Sequence, residues 1–118
     1  MPDRPSDHVP LPPHLFEILV TLAAGPTHGY RIIQEVAERT DGHVQLSTST
    51  LYGGLRRLLR EGLAAEGGDV VDEDSAGPPR RYYRITDLGV RVAALETDRL
   101  RQSAARAARA LSRTTAAE

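Results

Sequence analysis

The sequence predicts a mainly helical (α+β) fold with one small β-hairpin, arranged as three short helices, the hairpin and a long final helix. Three observations support this fold class. Apolar residues recur at helical spacing in four segments, two short β-capable runs flank a Gly/Pro-rich turn, and glycine, proline or hydroxyl residues stand at the segment boundaries. This order is typical of a winged helix-turn-helix, in which the hairpin is the wing, with an added C-terminal dimerisation helix.

The composition fits one globular domain of 118 residues, with 40% apolar and 26% charged residues. The absence of cysteine excludes disulfides, thiolate metal sites and cysteine nucleophiles. No apolar run is long enough to span a bilayer, and the N-terminus has no apolar signal-peptide core. We therefore expect a cytoplasmic protein that does not bind a membrane.

In the N-terminal half, the sequence predicts a flexible N-terminal segment (the lead-in) followed by two helices. Residues 1–13 are proline-rich and polar, and we expect a flexible segment. A helix begins at His14 and ends at Gly25-Pro26, since proline cannot continue it. Thr27 is the expected cap of a second helix, whose apolar face includes Tyr30 and whose pattern ends at Asp41-Gly42.

A third helix is expected after Leu46, capped by one of three hydroxyl residues at positions 47–49 and ended by Gly62. Its buried stripe comprises Leu51, Tyr52, Leu55, Leu58 and Leu59. Residues 63–71 and 80–85 form the predicted hairpin around an acidic tip, and Thr86 caps the last helix. The predicted divisions are a winged domain over residues 14–86, a helix over 87–113 and a frayed tail over 114–118.

The third helix is the candidate reader of DNA, because its apolar stripe must face the core and leaves polar residues outside. A recognition helix places its polar N-terminal turn in the major groove, where hydroxyl and guanidinium groups reach base edges and phosphates. A solvated surface without a ligand explains the same spacing equally well. The glycine pair in this helix, Gly53-Gly54, indicates close approach to a phosphate or to another helix.

Arginines also cluster on the returning strand of the predicted wing. The net charge is only −1, but the charges are segregated along the chain, which creates local fields. Arg80 and Arg81 are placed to contact the DNA backbone. A solvated strand edge is the alternative for these two residues. The acidic tip between the strands is expected to be repelled by phosphate, and therefore to point away from it or to stay mobile.

Three segments in register resemble the PadR-like transcriptional regulators. Residues 11–22 followed by Gly-Pro-Thr-His-Gly-Tyr-Arg-Ile at 25–32 resemble the family's opening. Residues 49–58 with Glu-Gly-Leu at 61–63 are similar to its recognition helix, and residues 77–86 with Gly89 resemble its wing exit. The sequence departs from the family at Gly53, where proline is frequent, and it contains no tryptophan for an aromatic drug site.

The resemblance implies a repressor that binds double-stranded operator DNA as a homodimer and is released by a small-molecule effector or stress signal. The resemblance also implies that five residues face the DNA: Thr48, Ser49, Thr50, Tyr52 and Arg56. Together with the spacing argument, the full predicted DNA-binding set is Thr48, Ser49, Thr50, Tyr52, Gly53, Arg56, Arg57, Arg80, Arg81 and His28. For His28, phosphate contact, packing beneath the recognition helix and a surface position without a task all remain open.

The last helix is the predicted dimerisation element, because an apolar stripe runs into small residues that allow a second helix to approach closely. The predicted dimerisation residues are Leu15, Leu95, Leu100, Ala104, Ala107 and Leu111. A solvent-exposed alanine-rich helix, stable through helix propensity alone, is the alternative.

The sequence carries no known catalytic or metal-binding motif. No nucleophile elbow, phosphate loop or HExxH occurs, and the four histidines lack metal-ligand spacing. We therefore expect neither an enzyme nor a cofactor or metal site. The main alternative function is a winged-helix protein-interaction module without DNA binding, which the acidic wing tip and the net charge would favour.

Overall fold

A computed structural model of the protein describes residues 4–67 and 81–116. A 3-10 turn, Pro5–His8, precedes α1 (Pro13–Ala23), β1 (Thr27–His28), α2 (Gly29–Arg39) and α3 (Thr48–Arg60). The chain continues with β2 (Ala64–Glu66), β3 (Tyr82–Ile85) and α4 (Asp87–Ala116). The predicted order of helices and hairpin is thus observed. The predicted wing tip and Arg80 lie outside the described residues.

The core forms around α1, which packs against α2, α3, α4 and β3. Four apolar side chains at helical spacing, Leu15, Ile18, Leu19 and Leu22, are at most 1% exposed. Burying each such side chain contributes roughly 1.5–3 kcal/mol. This helix therefore holds the other elements in place.

The sheet has three antiparallel strands in the order β1-β3-β2. Strand β3 pairs with β2 through Ala64 opposite Ile85, as the hairpin prediction requires, and with β1 through Thr27 opposite Tyr83. Strand β1 is missing from the sequence prediction because two residues carry no periodicity. Thr27, expected as a helix cap, is instead a strand residue, and His28 caps α2 by accepting a hydrogen bond from the Arg31 amide at 3.3 Å.

The N-terminal segment is not a free lead-in from residue 5 onward, and this corrects the prediction for residues 1–13. The 3-10 turn packs against α4, His8 is 9% exposed and Leu11 is 5% exposed. The Leu11 amide donates to the carboxylate of Glu96, which is itself buried on α4. Proline content indicated flexibility, but the proline-rich segment packs against α4 and contributes Leu11 to the core.

The long helix α4 begins as predicted, because the Thr86 hydroxyl accepts from the Gly89 amide at 3.0 Å and donates to the Gly62 carbonyl at 2.6 Å. It continues through Ala116, so the described part of the tail predicted to fray over residues 114–118 is helical. Its first half contributes Val92 to the core, whereas residues 100–115 are all exposed.

Candidate nucleic-acid interface

The outer face of α3 is fixed by three apolar residues on its inner side. Leu51, Leu55 and Leu58 are at most 1% exposed. At 3.6 residues per turn, Ser49, Gly53, Arg56 and Arg60 lie within about 50° of the direction opposite that stripe. The three with side chains are exposed, so a polar, cationic ridge faces away from the core. Arg60 belongs to this ridge, as its spacing in the sequence indicates, although it is not among the predicted DNA-binding residues.

The N-terminus of α3 is held by Ser47, one of the three predicted caps. Its hydroxyl accepts from the Thr50 amide at 3.1 Å and donates to the Thr50 hydroxyl at 2.9 Å. Thr48, Ser49 and Thr50 are all exposed in this first turn. Their hydroxyl groups therefore stand at the end of the helix that a major groove would receive.

The predicted glycine pair has two different surroundings. A Cβ on Gly54 would lie 3.0 Å from Ile18 Cδ1 and 3.2 Å from Leu15 Cδ2, so this glycine lets α3 approach α1 closely. A Cβ on Gly53 would meet only the Arg56 guanidinium, at 3.8 Å. Gly54 therefore serves packing between helices, while Gly53 lies on the open outer ridge.

Tyr52 and Tyr30 both differ from their predicted positions in the core. Tyr52 is 41% exposed, and its hydroxyl lies against Gly29, where a Cβ would be 2.8 Å away. Tyr30 is 63% exposed because α2 turns Gly29, Ile32 and Val36 inward instead. Tyr30 is thus an exposed aromatic residue in the first turn of α2. A buried face placed one residue earlier in the helix, starting at Gly29, would have predicted this exposure.

The start of α2 meets the wing through His28. Its ring packs edge-to-face on Tyr82, with the ring centroids 5.5 Å apart, while its Nδ1 caps α2. His28 therefore caps α2 and joins it to the sheet, so it is not a surface residue without a task. Its packing partner is the wing residue Tyr82 and not the recognition helix, and phosphate contact by His28 stays a prediction. Beside it, burial raises the pKa of the Tyr83 hydroxyl, and the Glu66 carboxylate adds to that shift.

The arginines near the interface differ in their ion pairing. Arg57 donates to Glu61 at 3.0 Å, and Arg81 on the wing lies 3.7 Å from Glu66. Within residues 4–67 and 81–116, neither Arg56 nor Arg60 has a carboxylate within 4.0 Å. Hence Arg56 and Arg60, the two cations of the α3 ridge, are less neutralised than Arg57 and Arg81.

Comparison with known proteins decides the family. The model of the transcriptional regulator PadR-like family matches residues 18–95, more than half of the chain. The chain belongs to the PadR-like family. The sequence-based resemblance and the winged fold class are therefore confirmed. Because PadR-like proteins are transcriptional regulators and not enzymes, the prediction of a non-enzymatic protein is also confirmed.

Three individual relatives show how similar this chain is to known proteins. An uncharacterised protein of Lysinibacillus sphaericus is 41% identical over a 78-residue alignment, which covers 64% of this chain and 68% of that protein. A PadR family transcription regulator from Clostridium difficile R20291 is 26% identical with a TM-score of 0.66, covering 81% of this chain and 97% of that one. Bacillus subtilis PadR, solved in complex with operator DNA, has the same fold at 22% identity and a TM-score of 0.59, over 70% of this chain and 46% of that one.

The predicted dimerisation residues of this PadR-like regulator fall into three groups. Leu15 is 0% exposed inside the core, so its place in a dimer contact is wrong. Leu100, Ala104, Ala107 and Leu111 are exposed and lie within about 60° on one side of α4, here called the apolar stripe. Leu95 is also exposed, but it lies about 140° around the helix from Leu100 and is not part of this stripe.

Metal-binding clusters and membrane-spanning helices are both absent from the described part of this PadR-like chain. Among the residues described, no group of three or more His, Asp or Glu side chains is arranged to hold a metal ion. No helix there is both long and apolar enough to cross a bilayer.

Proposed function

We propose that this PadR-like regulator is a cytoplasmic, sequence-specific DNA-binding repressor that binds operator DNA as a homodimer. In this proposal the outer ridge of α3 enters the major groove and the wing follows the backbone. The observation that carries the proposal is the ridge itself, where Ser49, Arg56 and Arg60 are exposed on the side opposite the buried stripe. Hydroxyl and guanidinium groups are the side chains that read base edges and hold phosphates.

The first turn of α3 would supply most of the sequence readout. Thr48, Ser49 and Thr50 are exposed at the capped end of the helix, and Gly53 leaves the ridge open for close approach of the DNA. Tyr52 flanks this ridge and is held against α2, so its ring would meet the DNA in a fixed position. Short hydroxyl residues can approach base edges without the entropy cost of ordering a long side chain.

Phosphate contacts would come from residues around this ridge. Arg56 and Arg57 lie on α3, Arg81 lies on the wing and is exposed, and Tyr30 and His28 lie at the start of α2. Arg57 and Arg81 would have to exchange their carboxylate partners, Glu61 and Glu66, for phosphate. Arg80 remains part of the predicted set on sequence grounds.

Dimerisation would pair the winged units so that two recognition helices read half-sites about one turn of DNA apart, roughly 34–36 Å. The exposed apolar stripe of α4 supports this part of the proposal, since small residues along it allow two helices to pack closely. Release by a small-molecule effector rests on the family resemblance. With no tryptophan in the chain, such an effector would not be held by indole stacking.

The test is a gel-shift of the purified protein on the DNA upstream of its own gene, at about 50 and about 200 mM salt. A discrete band that survives competitor DNA and weakens strongly between these salt concentrations is expected, because phosphate contacts release counterions. A folded dimer that shifts no DNA at low salt would contradict the proposal and favour the protein-interaction module.

A further inference from the structure

The exposed end of α4 carries a second group of cationic side chains, far along the chain from the winged unit. Arg106, Arg109 and Arg113, here called the arginine stripe, are all exposed. They lie within about 60° on one side of the helix, and Arg99 continues the same line towards the core. Between Arg106 and Arg113 the stripe extends about 10 Å along the helix axis.

The arginine stripe is not neutralised within the part of the chain that the structure describes. Other exposed arginines have partners, such as Arg31 with Glu35 at 2.9 Å and Arg57 with Glu61 at 3.0 Å. No carboxylate described in residues 4–67 or 81–116 lies within 4.0 Å of the three stripe arginines. Residues 99–113 contain no acid, so the positive potential along this face is not offset locally.

The arginine stripe and the apolar stripe lie on opposite sides of α4, with their centres about 160° apart. When a second copy covers the apolar stripe, the arginines therefore face outward. A symmetric contact centred on the arginines would instead oppose like charges. The arginine stripe consequently remains accessible in the proposed dimer.

We propose that the arginine stripe binds the phosphate backbone of duplex DNA, as a contact separate from the winged unit. Guanidinium groups hold phosphates bidentately, and backbone contacts require charge but no apolar centre. The neighbours on this face, Gln102 and Ala110, are polar or small, whereas a stable protein interface needs a buried apolar core. This inference rests on the proposed function, because it adds contacts to DNA binding.

The test measures binding to a fluorescent random-sequence duplex by anisotropy over a series of salt concentrations. R106Q/R109Q should lower the salt slope by about 0.9 for each phosphate that the variant no longer neutralises, or about 1.8 per protomer. The matched control R4Q/R101Q removes the same charge from exposed positions outside the stripe and should leave the slope close to that of the wild type. Arginine and glutamine have similar helix propensities, so circular dichroism should confirm that α4 is retained.

If the salt slope of R106Q/R109Q equals that of the control, the inference is overturned. The arginine stripe would then be a binding site for an acidic protein surface and not for DNA. The variant R56A/R57A separates this result from a failure of the proposed function. If the wild type binds DNA and only R56A/R57A weakens it, the α3 ridge stands and the arginine stripe does not. If only R106Q/R109Q weakens binding, the stripe is a DNA contact and the α3 assignment is wrong.

Discussion

Gly53 and Gly54 are neighbours in α3, but their surroundings make opposite demands on a side chain. The sequence shows the pair, and it indicates that two glycines in a helix allow close approach of a phosphate or of another helix. It does not show which one faces another helix, because that depends on how α1 crosses α3. Here Ile18 and Leu15 close in on Gly54, while Gly53 faces open space.

Replacing each glycine by alanine should therefore change stability in opposite directions. G53A should raise the free energy of unfolding by about 0.5–1 kcal/mol, because alanine favours the helix and nothing obstructs the new methyl group. G54A should be less stable than G53A by about 1–3 kcal/mol, since the methyl group overpacks the contact with α1. Urea unfolding of the two variants measures the difference, and equal stabilisation would contradict the packing described for Gly54.

Glu96 shows what sequence reasoning misses at the scale of a residue. It is 2% exposed in the middle of α4, where an acid is normally assigned to a solvated face. The Arg99 guanidinium bonds both carboxylate oxygens, at 2.7 and 2.8 Å, and the Leu11 amide donates as well. The N-terminal segment that covers this carboxylate lies 85 residues away in sequence (96 − 11), so no local pattern reveals it.

The Arg99 hydrogen bond lowers the pKa of Glu96, although burial acts in the opposite direction. Because the folded-state pKa is below the unfolded one, the stabilisation is complete above pH values of about 4.3 and is lost as pH falls through the folded value. E96Q should lose about 1–2 kcal/mol near pH 7, since Arg99 is partly exposed and screened. It should also show a weaker loss of stability in acid than the wild type.

Chemical unfolding between pH 3 and 7 checks the Glu96 prediction, with E38Q as the control on an exposed acid. Wild type and E38Q should lose stability in parallel as the pH falls. If E96Q also follows the wild type in parallel, the Glu96 carboxylate does not stabilise the fold.

At the scale of elements, periodicity predicts the helices better than the faces they bury. Helices α3 and α4 begin at predicted caps, Ser47 and Thr86, and α1 begins one residue before its predicted start at His14, because hydroxyl and proline signals are local. The burial of α2 differs by one residue, so Tyr30 is exposed and Ile32 is buried. Strand β1 is absent from the prediction because it exists only through pairing with β3, which is distant in sequence.

The apolar stripe on the exposed half of α4 should be required for dimerisation. L100D/L111D places two charges on the apolar stripe and should convert the dimer to a monomer without loss of helix content, because both side chains are exposed in one protomer. Q102D, on the other side of the same helix, is the matched control and should remain dimeric. Light scattering after size exclusion measures the mass, and a dimeric L100D/L111D would remove this stripe from the interface.

At the scale of the whole molecule, the fold brings together three parts of the chain that are separate in sequence. The start of α2 contacts α3 through Gly29 and Tyr52, and contacts the wing through His28 and Tyr82. The sequence predicts each part from its own pattern, and family resemblance predicts their assembly. What the sequence does not show is the pairing of Arg81 with Glu66 across the wing, because these residues are distant in sequence. The Arg57–Glu61 pair, by contrast, follows from i,i+4 spacing on a helix.

The most direct test of this account is the affinity of R56A/R57A for the DNA upstream of its own gene, measured by fluorescence anisotropy. R4A/R101A is the control, since it removes two exposed arginines outside the proposed interface. R56A/R57A should remain a folded dimer and bind at least about tenfold more weakly, because a good bidentate arginine contact contributes roughly 1–3 kcal/mol. Equal weakening of both variants, or unchanged affinity of R56A/R57A, would contradict the central claim that α3 reads the DNA.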